Sequence, residues 1–306
     1  MSVNEQVYFT LNTGAKIPAI GLGCWSGTTP EQNESAYPWI MSALKNGYRH
    51  LDTAHGYGTE GVVGRAVLNC GIPREEIFVT TKLPNNHHHK VADSLEESLS
   101  RSGLTYFDLY LMHFPQAFAD EPGDDYRVVD SPTFAETYAE MEKLLATGKV
   151  KAIGVSNFSV KNLTKLLETA KVIPAANQCE MHPHQAQPEL LPFCKEKGII
   201  MTAYSPTGYA PVREDPTMIQ LAEKYNVSPA QVALAWDIAR GTTAVPKSTD
   251  SKRQIGNLHE LPKLTSEDVS LVSTLHKNVH YCQAPGPKER DGHKLCMGWT
   301  YEQMGW

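Results

Sequence analysis

Short apolar runs rich in β-branched residues recur along the chain, separated by longer stretches in which apolar positions return every three to four residues. The runs at 49–54, 77–83, 108–113, 152–157, 176–181, 199–205 and 243–248 predict strands. The intervening stretches at 34–46, 59–69, 91–102, 132–147, 160–170, 188–197 and 216–240 predict helices, the last divided into two around Asn226 and Pro229. Several strand runs are apolar on both faces, as in a parallel sheet buried between a core and an outer layer of helices. Seven strands are readable, and an eighth is expected near 257–264. That count, with no linker or low-complexity break, favours a single (β/α)8 TIM barrel domain spanning residues 1–306 over an open doubly wound sheet. Residues 8–23 predict an N-terminal β-hairpin turned at Asn12, Thr13 and Gly14, placed to plug the bottom of the barrel. Residues 283–306, rich in Gly and Pro and then in Met297, Trp299, Tyr301 and Trp306, form either a tail packed on the surface or a pocket-lining loop.

Composition narrows the class. The chain has 306 residues, Lys+Arg 28 against Asp+Glu 34, and a formal net charge of −6. This balance speaks against a nucleic-acid partner. No apolar run approaches the roughly 18 residues that a membrane helix needs, and MSVNEQVYFT has no signal-peptide pattern. A cytoplasmic protein is expected. The six cysteines are scattered without a C-x-x-C pair, so they read as thiols rather than as a disulfide framework or zinc knuckle.

The segment Gly56 to Gly61 matches G-x-G-x-x-G between a predicted strand and a predicted helix. A dinucleotide fingerprint would also need an acidic residue closing the next strand, where this chain has Lys82, and small residues between the glycines, where it has Tyr57. The glycines read better as a tight turn that projects Tyr57 from the end of the sheet.

In a barrel, functional side chains lie at the carboxyl ends of the strands. Asp52, Tyr57, Lys82 and His113 all fall there, on or just after three neighbouring strands. An ammonium beside a phenol favours the phenolate, so Lys82 is expected to lower the pKa of Tyr57. Burying that ammonium requires a carboxylate, which gives Asp52 its purpose, and His113 has a ring N–H to offer a substrate oxygen.

The series LDTAHGYG (51–58), TKL (81–83), LMHFP (111–115), GVSNF (154–158), Asn177-Gln178, AYSP (203–206) and PKS (246–248) resembles the motifs of the aldo-keto reductases, in family order, from about residue 8 to about 265. The resemblance implies reduction of aldehydes or ketones to alcohols, with hydride from a nicotinamide and a proton from Tyr57. Asp52, Tyr57, Lys82 and His113 are then the catalytic tetrad.

The same resemblance places the nicotinamide carboxamide on Ser156, Asn157 and Gln178, its ring on Tyr204, and adenine near Asn257. Lys247, Ser248 and Arg253 suit a 2′-phosphate, so NADPH/NADP+ is expected as cofactor with NADH also possible, unless those cations are only a solvated face. Gly256 replaces a carboxylate common in relatives. The substrate pocket is expected among Trp25, His55, Phe114 and Trp299. Pro84 stands where relatives carry an aromatic residue, and the loop after Tyr204 is a candidate clasp on the cofactor.

His87, His88 and His89, and the pair His182 and His184, lack a Cys or carboxylate at suitable spacing, so no metal is expected. The expected partner is a small-molecule carbonyl compound, and the expected assembly is a monomer or weak homodimer. Two alternatives compete: a cofactor-binding regulatory subunit with little turnover, like the potassium-channel β subunits, and a barrel isomerase or lyase with a phosphate or metal site.

Overall fold

The computed structural model describes residues 6–119, 126–282 and 289–306. Eight parallel strands form one sheet: β1 (Leu22–Gly23), β2 (His50–Asp52), β3 (Phe78–Leu83), β4 (Leu109–Met112), β5 (Ile153–Ser156), β6 (Ala176–Glu180), β7 (Ile200–Tyr204) and β8 (Thr243–Ala244). Each pairs with the next in sequence, as in Leu51 with Val79 and Gln178 with Thr202. A parallel bridge between Ile20 and Ala244 joins the last strand to the first and closes the barrel.

This closure corrects the expected position of the eighth strand. Residues 257–264 are not a strand; they contain the end of a helix and the loop after it. The missing strand is β1, inside the segment read as the second half of the hairpin. The hairpin itself is shorter, pairing Tyr8–Thr10 with Lys16–Pro18. A two-residue strand next to a hairpin has too few positions to show a period, and its pairing with β2 and residue 244 is entirely long-range.

Alternation along the strands sorts the core into two layers. In β3, Val79 and Leu83 face the helices, whereas Phe78, Thr80 and Lys82 lie on the other side, inside the barrel. The barrel interior is stacked from bottom to top. Phe78 packs at the bottom with Leu11 and Ile17 of the hairpin. In the middle, His50 Nε2 lies 3.2 Å from Thr80 Oγ1, and at the top Lys82 meets Asp52. The hairpin therefore closes the bottom as expected. Gly21 makes room for the buried imidazole, because a Cβ there would sit 2.6 Å from His50 Nδ1.

Outside lie α1 (Tyr37–Lys45), α2 (Glu60–Asn69), α3 (Val91–Ser102), α4 (Phe134–Leu144), α5 (Val160–Leu167), α6 (Leu190–Glu196), α7 (Pro216–Tyr225), α8 (Pro229–Ala239), α9 (Ser251–His259) and α10 (Ser266–Ser273). The split between α7 and α8 follows local chemistry. Asn226 adopts φ +53 and ends one helix, and Ser228 caps the next, which starts on Pro229. No helix among the described residues is long and apolar enough to cross a membrane.

Part of the C-terminal segment falls outside the described residues, at 283–288. The remainder folds against the barrel: Gln116 Nε2 donates to the carbonyl of Cys296, and Asn162 Nδ2 to that of Met304.

Candidate active site

The residues expected to carry chemistry converge on the carboxyl end of the barrel. Asp52 ends β2, and the chain then turns through a one-turn 3-10 helix, His55–Tyr57. Gly58 ends that turn at φ +71, a conformation costly for a residue with a Cβ, and α2 begins at Glu60. Of the three glycines, Gly58 alone serves the turn in this way, whereas Gly61 already lies in α2, and Tyr57 is left over the barrel mouth.

Lys82 is fully buried, and its Nζ donates to Asp52 Oδ1 at 2.6 Å and to the Thr53 carbonyl at 2.8 Å. Burial opposes its charge, but Asp52 and Tyr57 together raise its pKa above the usual lysine value, so it remains an ammonium. The same Nζ lies 4.9 Å from the Tyr57 ring centroid. Tyr57 departs from expectation in one respect: its pKa is raised. Burial of the phenol outweighs the opposing pull of Lys82, because a phenolate loses more hydration than one ammonium restores. The proton therefore stays on Tyr57 at neutral pH. His113 follows β4 and meets the Tyr57 ring edge-on, with centroids 5.5 Å apart. Burial, then the charge of Lys82, lowers its pKa to about 3, so the ring is a neutral imidazole.

A second network extends from this group along the rim. Gln178 Nε2 donates to Asp52 Oδ2 at 2.6 Å. Ser156 Oγ donates to the Gln178 carbonyl at 2.7 Å, and Asn157 Nδ2 donates to Ser156 Oγ at 3.1 Å and to the His113 carbonyl at 2.9 Å. Tyr204 Oη donates to Asn157 Oδ1 at 2.9 Å, which fixes the tilt of its half-buried ring. Asn157 holds φ +64, a left-handed conformation that Asn tolerates better than most residues. Ser156, Asn157, Gln178 and Tyr204 are thus in one hydrogen-bonded row that reaches Asp52.

The residues expected at the phosphate end are nearby in sequence but less tightly joined. Ser248 is buried and donates to the Asp250 carbonyl, and Asp250 Oδ1 accepts from the backbone N–H of Arg253 to cap α9. The Lys247 and Arg253 side chains are exposed, and Asn257 is buried on α9. Lys247 Nζ lies 5.2 Å from the centroid of the Trp25 ring.

The expected pocket walls are more scattered. Trp25 is 49% exposed, and Phe114 packs beside His113 at 5.3 Å. Trp299 packs partly against the helix-facing core. His55 is engaged with its neighbours, its Nε2 3.2 Å from Glu97 Oε2 and its ring edge-on to His87. The loop after Tyr204 folds into a short helix, Tyr209–Arg213, and Tyr209 Oη lies 3.3 Å from Ser205 Oγ.

Two features escaped the sequence reading. One is the second role of Gln178 as a donor to Asp52, invisible because 126 residues separate them. The other is Glu180 at the end of β6, which receives His182 Nε2, His280 Nδ1 and the backbone N–H groups of Tyr281 and Cys282. Burial pushes its pKa up, but these donors prevail and hold it down to about 2. Glu180 thereby fastens the segment leading to the C-terminus onto the barrel rim.

A model of the aldo/keto reductase family matches residues 19–277, the stretch that holds the barrel and the whole hydrogen-bonded rim. The chain belongs to the aldo/keto reductase family. It is 43% identical over 286 residues to glycerol 2-dehydrogenase (NADP(+)) of Saccharomyces cerevisiae, covering 88% of this chain and 90% of that protein. An aldehyde reductase of the same yeast is 42% identical over 295 residues, covering 90% and 93%. The crystal structure of a Bombyx mori aldo-keto reductase in complex with NADP matches with a TM-score of 0.83 at 36% identity, over 90% of this chain and 94% of that one. In this aldo-keto reductase, therefore, the barrel expected from strand count is also the fold of its relatives.

Proposed function

We propose that the chain reduces aldehydes or ketones to alcohols with NADPH, using Tyr57 as proton donor. The observation that carries this reading is the buried Lys82–Asp52 pair beside the protonated Tyr57. The donor set fits the cofactor. Ser156, Asn157 and Gln178 supply the mixed amide and hydroxyl groups that a carboxamide pairs with, and Tyr204 offers an anchored ring for stacking. Lys247, Ser248 and Arg253 supply cations and a hydroxyl for a 2′-phosphate, and Asn257 an amide for adenine. When bound, NADPH supplies the hydride.

The remaining chemistry is the protein's own. His113, neutral, donates a ring N–H to the carbonyl oxygen and orients it toward Tyr57. Tyr57 releases its proton to that oxygen as negative charge develops there. Lys82 stabilises the phenolate left behind, and Asp52 keeps Lys82 charged and aimed. The walls of the substrate pocket come from Trp25, His55, Phe114 and Trp299.

The names of the yeast relatives support NADP dependence and carbonyl or alcohol substrates, and they lend nothing to a regulatory subunit. The chain is proposed to act as one unit over 1–306, as a monomer or weak homodimer in the cytoplasm with no nucleic-acid partner. Its near-balanced charge supports the last point.

Mixing the protein with NADPH and a panel of aldehydes and following the nicotinamide absorbance tests the reading. Wild type should turn over, and Tyr57→Phe should bind NADPH with unchanged affinity while losing about 100-fold or more in kcat. Cofactor binding without turnover on any carbonyl would favour the regulatory reading, and full activity in Tyr57→Phe would remove Tyr57 from its role.

A further inference from the structure

Beside the catalytic group, three side chains that are far apart in sequence meet at the barrel rim. His55 comes from the one-turn helix after β2, His87 from the 3-10 turn Asn85–His87 after β3, and Glu97 from α3. Each offers one ligand atom, and the three atoms all lie within 4.8 Å of one another. Along the chain His87 stands beside only His88 and His89, consecutive residues that point in different directions. The completing imidazole and carboxylate come from other elements, so no spacing rule finds them.

From this geometry we propose that His55, His87 and Glu97 form a binding site for a divalent transition-metal cation of the zinc type. Two imidazoles and one carboxylate are a donor set that suits Zn2+ and is poor for Ca2+ or Mg2+, which require mostly oxygen. Ligand atoms around tetrahedral zinc stand about 3.3–3.6 Å apart for bonds of about 2.0–2.2 Å. The 3.2 Å between His55 Nε2 and Glu97 Oε2 is already near that value. The other separations reach at most 4.8 Å, so coordination draws the ligand atoms together by about 1–1.5 Å, and the Glu97 side chain, 42% exposed, has room to follow.

The surroundings of His87 strengthen the assignment. Its Nδ1 lies 2.9 Å from Ser94 Oγ of α3. An N–H donated there leaves the lone pair on Nε2, the tautomer a metal ligand requires, and a partner on the far ring nitrogen is the usual support of such a ligand. Tyr110 Oη lies 3.4 Å from the same Ser94 Oγ and helps to position it. One group competes for the site: Arg101 Nη2 stands 3.7 Å from Glu97 Oε2, but its side chain is 48% exposed and can yield. Three protein ligands leave a fourth position open to water or a small donor. His55 is two residues from Tyr57 on the same turn, so a bound ion ties the proton donor's turn to α3.

The test does not depend on the carbonyl-reductase reading. The chelator-treated full chain is dialysed against Zn2+ with Mg2+ in excess, bound metal is counted, and Co2+ is used as a visible-absorbing substitute. Wild type should hold one Zn2+ per chain at micromolar affinity, gain thermal stability from it, and give tetrahedral Co2+ bands. Glu97→Gln should weaken Zn2+ binding by about 10-fold or more, and Ser94→Ala by about 10-fold. Glu97→Gln removes a half-exposed carboxylate that touches His55 and Arg101 at the surface, so it keeps its fold even where His87→Gln does not. Wild type that binds no stoichiometric Zn2+, or a Glu97→Gln variant that binds it as tightly as wild type, overturns the proposal.

Discussion

Gln178 Nε2 donates to Asp52 Oδ2 across 2.6 Å, joining a residue of the proposed carboxamide site to the acid that neutralises Lys82. Both oxygens of Asp52 are therefore engaged, one by a cation and one by an amide, in a site where all three side chains are buried. Losing either partner leaves a buried charge short of compensation.

Lys82→Met strands Asp52 without its cation. It should lower stability by about 3–5 kcal/mol and abolish turnover. Gln178→Leu removes only the amide and should cost about 1–3 kcal/mol, with KM for NADPH rising and kcat falling together. Denaturant unfolding alongside steady-state kinetics measures both. A Gln178→Leu variant altered in KM alone would show that its bond to Asp52 has no part in catalysis.

Buried histidines set an acid limit, His50 and His113 inside the barrel as well as His87 and His88 after β3. Burial lowers His50 to about 4, and burial with Lys82 lowers His113 to about 3, from an ordinary value of 6.5. Below 6.5 the unfolded chain takes up protons that the folded chain refuses. The stability these rings contribute is complete above that pH and is lost as pH falls toward 4 and then 3. Each adds a slope of about 1.4 kcal/mol per pH unit. Urea midpoints measured from neutral pH downward should show it, with one proton less in His50→Leu. An identical slope in that variant would mean His50 is protonated in the fold.

Tyr204→Phe keeps the ring and deletes the bond to Asn157 Oδ1. NADPH binding should weaken by about 5-fold, the equivalent of about 1 kcal/mol, whereas Tyr204→Ala, which also loses the stacking face, should weaken it much further. Fluorescence titration separates the two. Equal losses would place the whole effect in the hydroxyl.

Arg253 is exposed at the start of α9, proposed to meet the 2′-phosphate. Arg253→Ala should raise Kd for NADPH by about 10-fold or more, as expected for a lost charge-assisted hydrogen bond, and leave Kd for NADH unchanged. Parallel loss of both cofactors would point instead to damage in α9.

Much of the site was legible because each reactive residue sits beside a strong local signal. Asp52 and Lys82 close apolar runs, His113 follows one, and Gly58 marks the turn that carries Tyr57. β1 was not legible, since two residues show no period and its partners lie at 51–52 and 244. The pKa of Tyr57 was misjudged for a related reason. The sequence supplies the neighbouring charge of Lys82 but not the depth of burial, and burial is the larger influence.

The sequence by itself determined the alternation of strands and helices, the order of the reactive residues, and the family to which they belong, because these depend on local period and on motifs a few residues long. Only the tertiary structure decided how the ring closes, that Gln178 shares Asp52 with Lys82, that Glu180 holds the approach to the C-terminus, and that His55, His87 and Glu97 meet. Each of those is a contact between residues distant along the chain, made when the barrel brings the strand ends to one rim.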